Sequence, residues 1–206
     1  MSQLHVLVRG VLYIGVFIGV LLCAIVWHEL VGHGLAALLC GAQITQVNVL
    51  GIQFYPTLVW EFHPGYFGWV HWNGSLGPQQ MAFVTLNDSL STWVVSVIAL
   101  PLFLRVQRWY MMRIILLALS LYYLDIFVHT LPSLGIPLHL ALGNRNLATL
   151  NDGYYAAQVL GIPGPAYQTM VVGYAILASV AIAWTLWRSI QPRLSRRRSQ
   201  EDEPTE

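Results

Sequence analysis

Leu21-Leu22-Cys23-Ala24-Ile25-Val26-Trp27-His28-Glu29-Leu30-Val31-Gly32-His33-Gly34-Leu35-Ala36-Ala37-Leu38-Leu39 is apolar throughout except for His28, Glu29 and His33. Toward the N-terminus the apolar run continues back to about Leu4. A span of the hydrocarbon core needs about 20 apolar residues, so a run from Leu4 to Leu39 must be tilted, kinked near Gly10, Gly15 or Gly19, or extended beyond the membrane. Arg9 ahead of apolar sequence has the start of a signal peptide. The run nevertheless passes any plausible h-region and carries the polar cluster, so a retained membrane helix is expected.

The rest of the chain is of the same kind. Of its 206 residues 56% are hydrophobic and 9% charged, against roughly 25% charged in an ordinary soluble domain, and mean hydropathy is +0.60. These values belong to the membrane class. Three further segments suit spanning helices: about Leu90 to Leu104, short and with Pro101 near its end, about Tyr110 to Leu131, and about Tyr167 to Trp187. The expected architecture is an all-α polytopic membrane protein of about four transmembrane helices. No internal repeat and no soluble domain is evident, so residues 1–190 read as a single transmembrane domain. Residues 191–206 read as a disordered polar cytoplasmic tail. Cys23 and Cys40 fall in apolar helical sequence and read as small buried hydrophobes, not as a disulfide framework. The lipid bilayer is the expected partner, and nothing points to nucleic acid.

The ten basic residues are all arginine, and their placement predicts orientation, because Lys and Arg are retained on the cytoplasmic side. Arg188, Arg193, Arg196, Arg197 and Arg198 put the C-terminus inside, and Arg105, Arg108 and Arg113 put the link between the second and third helices inside. With four spans the two clusters agree. The N-terminus is then also cytoplasmic, segments 41–89 and 132–166 lie outside, and a plasma or inner membrane is the expected location.

Segment 41–72 lacks a helical pattern. Ile44, Val47, Val49, Ile52, Phe54, Leu58 and Trp60 alternate imperfectly with polar residues between Gly and Pro, which predicts two or three short strands at the outer membrane surface. The aromatic, turn-rich stretch from Phe62 to Trp72 suits the headgroup level, where Trp and Tyr rings collect. Residues 132–166 are rich in Gly and Pro and read as loops around one short helix near 152–160.

A charge inside a spanning segment is a functional hypothesis by default. Outside the tail the acidic residues are Glu29, Glu61, Asp88, Asp125 and Asp152, and Glu29 stands deep in an apolar helix between two histidines. Zinc hydrolases build a site from two histidines one helical turn apart with a glutamate beside the first: the imidazoles bind the metal and the glutamate takes a proton from the attacking water. The usual histidine spacing is four residues, and here it is five. On an ideal helix His28 and His33 are separated by roughly 140° and about 7.5 Å, which makes joint chelation difficult. Three arrangements remain open. A π-bulge at Leu30-Val31-Gly32 brings His28 above His33. Alternatively Glu29 and His33, at i and i+4, are the ligands and His28 assists. Lastly, the three form only a buried polar cluster. A lone buried histidine is more often a hydrogen-bonded core residue than a ligand, but an unpaired Glu29 beside two histidines requires compensation.

A catalytic zinc takes a third protein ligand. Asp152, at the start of the short helix after a Gly/Asn-rich loop, suits either that role or a helix N-cap. Asp125 and His129 stand at i and i+4 in the third helix, with Tyr122 one turn before them. They are candidate ligands, partners of the metal histidines, or a self-satisfied pair. His63, His71 and His139 lie in loop or interfacial sequence and are expected to be unrelated. By the arginine topology His28, His33, Asp125, His129 and Asp152 all fall on the outer side and can converge.

Val26 to Ala37, with Gly41-Ala42-Gln43-Ile44-Thr45-Gln46-Val47 after it, resembles the His-Glu-x-x-His helix and following glycine and strand of the site-2 protease group of intramembrane zinc metalloproteases. Asn151-Asp152-Gly153 is similar to that group's later Asp-Gly element, and Ser75-Leu76-Gly77-Pro78 is weakly like its Gly-Pro element. The resemblance implies a membrane-embedded zinc metallohydrolase acting on a membrane protein or peptide, with Zn2+ on His28, His33 and Asp152 and Glu29 as base. The alternative is a catalytically inactive metal-binding or scaffold protein of the same fold.

Overall fold

Gly77-Pro78 starts the helix on which the rest of the fold is assembled. Proline is tolerated at the first helical position because its missing N–H has no intrahelical use, and the Gly77 N–H donates instead to Gln80 Oε1 at 2.9 Å. In the computed structural model, backbone is described for residues 3–61, 67–106, 108–136 and 152–201, and side chains for residues 5–61, 67–106, 108–136 and 153–189. The elements are α1 (Gln3–Trp27), a π-helical segment (His28–Leu35), α2 (Ala36–Leu39), strands β1 (Gln43–Val49), β2 (Ile52–Tyr55), β3 (Val59–Trp60) and β4 (Gly68–Asn73), then α3 (Pro78–Arg105), α4 (Tyr110–Ser120), α5 (Tyr123–Thr130), a 3-10 turn (Leu131–Leu134), α6 (Asp152–Val159) and α7 (Gly164–Glu201). Four stretches are long and apolar enough to cross a membrane: His5–Leu39, Pro78–Arg105, Tyr110–Leu134 and Gly164–Ser189.

α3 is the central helix, touching the π segment, α4, α5, α6 and α7. Asp88, Ser89, Thr92 and Ser96 are all buried, and their spacing of three and four residues places them on one face, turned into the bundle. Away from water each polar group needs a partner, and this stripe finds them. Ser96 Oγ donates to the Ser120 carbonyl at 2.6 Å, next to the break between α4 and α5, where helical hydrogen bonding is interrupted. Tyr122, at that break, donates its hydroxyl to the Val20 carbonyl of α1 at 2.6 Å. Apolar packing fills the rest: Ala82, Leu86, Ile126, Ala157, Tyr167 and Val171 form one cluster joining α3, α5, α6 and α7. The outward side of α1 is apolar, with Val6, Leu7, Val11 and Ile14 all exposed.

α2 ends in a Schellman motif, with Ala42 N–H bonded to Ala37 O at 3.0 Å and Gly41 N–H to Leu38 O at 2.9 Å. Gly41 takes φ 88° there, a conformation glycine adopts without strain. The antiparallel sheet that follows has the order β3-β2-β1-β4. β1 and β2 are joined by Leu50 and Gly51, both with positive φ, as a two-residue hairpin requires. Val47, Val49 and Val70 pack with Ile25 and Val26 of α1, which seats the sheet on the turn just before His28.

Several expectations need correcting. The second apolar helix begins at Pro78 and not near Leu90, because Gln79, Gln80, Thr85, Asn87 and Asp88 lower its hydropathy without breaking the helix. The third is interrupted at Leu121-Tyr122. The sheet has four strands, the last cut from the stretch read as interfacial aromatic loop: Val47 of β1 pairs with Val70 of β4. α7 is helical to Glu201, since extending a helix is easier than starting one and arginine is a good helix former. The short helix expected near 152–160 is α6.

Candidate metal centre

His28 to Leu35 is wound as a π-helix, the winding that the first of the three arrangements calls for. Hydrogen bonding from i to i+5 stacks a residue over its fifth successor, and the His28 and His33 rings stand 5.2 Å apart, edge to face. Two features of α3 hold this turn. A Cβ on Gly32 would lie 2.5 Å from Asp88 Cα and 2.9 Å from its carbonyl oxygen, so only glycine permits so close a crossing. A change of hydrogen-bond register also leaves helix carbonyls short of donors, and the Asn87 side-chain amide donates to Val31 O at 3.2 Å and Gly32 O at 3.0 Å.

The crossing delivers Asp88 to the two imidazoles. Its Oδ1 accepts the Ser89 backbone N–H, and its Oδ2 lies 3.5 Å from His33 Nε2 and 4.0 Å from His28 Nε2. One donor atom from each of His28, His33 and Asp88 falls within 4.8 Å of the others. A tetrahedral zinc with ligands at 2.0–2.1 Å separates its donors by about 3.3 Å, so this triangle could hold one if its widest edge closed by up to about 1.5 Å. Asp88 is 6% exposed.

Asp125 and His129 come to the same place from α5. His28 Nδ1–H donates to Asp125 Oδ2 at 2.8 Å, and Thr92 Oγ1 lies 2.8 Å from that oxygen. A carboxylate on one ring nitrogen fixes the tautomer and presents the other nitrogen's lone pair, here the Nε2 that faces Asp88. The His129 ring is 5.7 Å from that of His28, its Nε2 3.9 Å from Asp125 Oδ1 and its Nδ1 3.5 Å from Ser89 Oγ.

Glu29 is buried at 6% exposure and within electrostatic range of His28, Asp88 and Asp125. β4 begins directly against it: a Cβ on Gly68 would lie 2.6 Å from Glu29 Cγ and 2.7 Å from Oε1. Glu29 Oε2 and His33 Nδ1 are buried without a hydrogen-bond partner among the described residues, and buried polar atoms of that kind call for one.

Of the residues singled out in the sequence, His28, His33, Asp125 and His129 are brought together, while Glu29 packs against Gly68 within electrostatic range of His28. The Asp152 side chain lies outside the described residues, as do His63 and His139; His71 is exposed in β4. Sequence reading missed Asp88 and Asn87 as members of the cluster. The signal that points to them is Gly77-Pro78, which starts a helix early enough to carry both into its apolar interior.

No family model, curated protein or solved structure matches the chain.

Proposed function

We propose that the chain is a membrane-embedded, zinc-dependent hydrolase, a peptidase of the kind the site-2 protease group represents, with His28, His33 and Asp88 as the metal ligands and Glu29 as the base. The observation that carries this reading is the π turn that gathers two imidazoles and a buried carboxylate, with a second carboxylate, Asp125, on the far nitrogen of one imidazole. Two nitrogens and one carboxylate oxygen are one of the donor sets of catalytic zinc, which keeps its fourth position open. A bound zinc supplies a Lewis acid that activates water and polarises a carbonyl.

The chain's own residues do the rest. Asp125, steadied by Thr92, keeps the Nδ1 proton of His28 in place and so keeps Nε2 available as a ligand. Asn87 and Gly32 hold the turn that sets the spacing of the imidazoles. Glu29 Oε2, the oxygen without a partner, takes the proton of the attacking water. The burial of Glu29 and Asp88 excludes bulk water from the proton's path. In this reading the four apolar helices span the bilayer with both termini cytoplasmic, and the sheet lies on the outer side next to the site. The substrate is then a peptide bond in or beside the membrane.

Glu29→Gln separates this from the second reading, a metal-binding or scaffold protein without turnover, which the close cover of Glu29 by Gly68 favours. The purified full chain is loaded with zinc, and cleavage of a panel of transmembrane peptides is followed by mass spectrometry. The hydrolase reading expects cleavage that a chelator abolishes. It also expects Glu29→Gln to keep the metal and lose at least about a hundredfold in rate, as removal of a general base does. Cleavage unaffected by Glu29→Gln would sink the assignment of the base, and no cleavage by a metal-loaded wild type would favour the scaffold.

A further inference from the structure

A groove of about 680 Å³ opens at the other end of α3 from the metal centre. From Asp88 to Arg105 the helix rises by about 25 Å, so the two sites are separate. The apolar wall of the groove is made by Leu102, Val106, Met112 and Leu116, from the last turns of α3 and the first turns of α4, and Arg105 and Arg108 stand over it. Both arginines are exposed. Among the described residues neither is held by an acidic group or an aromatic ring, and the sequence has no acidic residue between Asp88 and Asp125. Trp109, 71% exposed, completes the lining.

Other arginines nearby are engaged. Arg113 donates to Ser189 Oγ at 2.6 Å and lies over the Phe103 ring, and Arg188 lies over Trp184. The Arg113–Ser189 contact brings α7 beside the start of α4. Among the described residues the two arginines of the groove have no such contacts.

We infer that this groove binds one anionic phospholipid of the surrounding bilayer, its phosphate between Arg105 and Arg108 and the upper part of its acyl chains along Leu102, Val106 and Met112. Charge complementarity selects the headgroup, since unpaired guanidiniums at a membrane surface attract anionic lipid and bind phosphate oxygens bidentately. The apolar wall selects a lipid over free phosphate, which has nothing to place on it. The volume is in the range of small-ligand sites, and an exposed tryptophan at the rim suits headgroup depth. The inference needs the chain in a membrane but does not depend on the hydrolase reading.

The test is native mass spectrometry of the full chain in neutral detergent, titrated with phosphatidylglycerol or phosphatidylcholine. One phosphatidylglycerol should bind at least tenfold more tightly than phosphatidylcholine. The double variant R105Q/R108Q should lose that preference, and Met112→Trp, which fills the apolar wall and leaves both charges, should weaken binding as well, with circular dichroism confirming that each variant is folded. The quadruple variant R193Q/R196Q/R197Q/R198Q should keep the preference. Equal binding of the two lipids, displacement of the lipid by millimolar inorganic phosphate, or loss of preference in the quadruple variant alone would overturn the site; so would retention of wild-type preference by folded R105Q/R108Q or by Met112→Trp.

Discussion

In the proposed zinc site a histidine ligand needs its second nitrogen held, and for His28 the holder is Asp125. Its hydrogen bond to His28 is charge-assisted and largely shielded from water, so it orients the ring more firmly than a surface pair would. Losing such a partner costs about tenfold to a hundredfold in metal affinity. Asp125→Asn should therefore weaken zinc binding by that factor, measured by competition with a chelating dye, while circular dichroism stays unchanged; unaltered affinity would remove Asp125 from the site. The sequence makes this residue legible, because Asp125 and His129 are ionisable groups one turn apart in an apolar run. Asp88 is harder to see. It stands among Thr85, Asn87, Ser89, Ser91 and Thr92, where the polar surroundings look like the end of a loop, and only its burial in α3 separates it from a surface carboxylate.

At the scale of the element, the π turn is where sequence and chemistry meet. The five-residue spacing limits the helix to a few windings, but spacing alone does not choose among them. The choice depends on α3: on Asp88 backbone crossing at Gly32 and on Asn87 supplying donors to the widened turn. These are tertiary contacts between residues more than fifty positions apart, and no local pattern contains them. If one extra residue is what the π winding absorbs, deleting the exposed Leu30 should let the segment return to α-helix with the flanking helices still in phase. The deletion variant should then fold and bind metal with wild-type stoichiometry, whereas inserting an alanine at the same place should lose metal. A deletion variant that folds but binds no metal would show that the site needs the π winding itself and not only the phase it restores. The sheet was only partly legible for a related reason. β1 and β2 alternate recognisably, but β4, Gly68-Trp69-Val70-His71-Trp72-Asn73, has the composition of an interfacial loop and becomes a strand through pairing with β1.

Over the whole molecule, the apolar helices were the most legible feature, because length and hydropathy are summed over many residues and survive errors at the ends. Arg113 and the helix that carries Arg188, read separately in the sequence, come together at the Arg113–Ser189 hydrogen bond, and the candidate metal site lies well away from that contact along α3. The proposed orientation places that centre and the sheet on the outer side. A single cysteine introduced at exposed Phe54, with Cys23 and Cys40 replaced by serine, should accordingly react with a membrane-impermeant thiol reagent added outside intact cells; protection there with labelling only after lysis would invert the topology. The central claim is more direct still: His28, His33 and Asp88 hold one metal ion. The measurement is the metal content of the full chain, purified in mild detergent without chelator and read by inductively coupled plasma mass spectrometry, for the wild type and Asp88→Asn. The account predicts one zinc per wild-type chain and a loss of most of it in a folded Asp88→Asn. A wild type without stoichiometric metal, or an Asp88→Asn variant that keeps its full zinc, would contradict it.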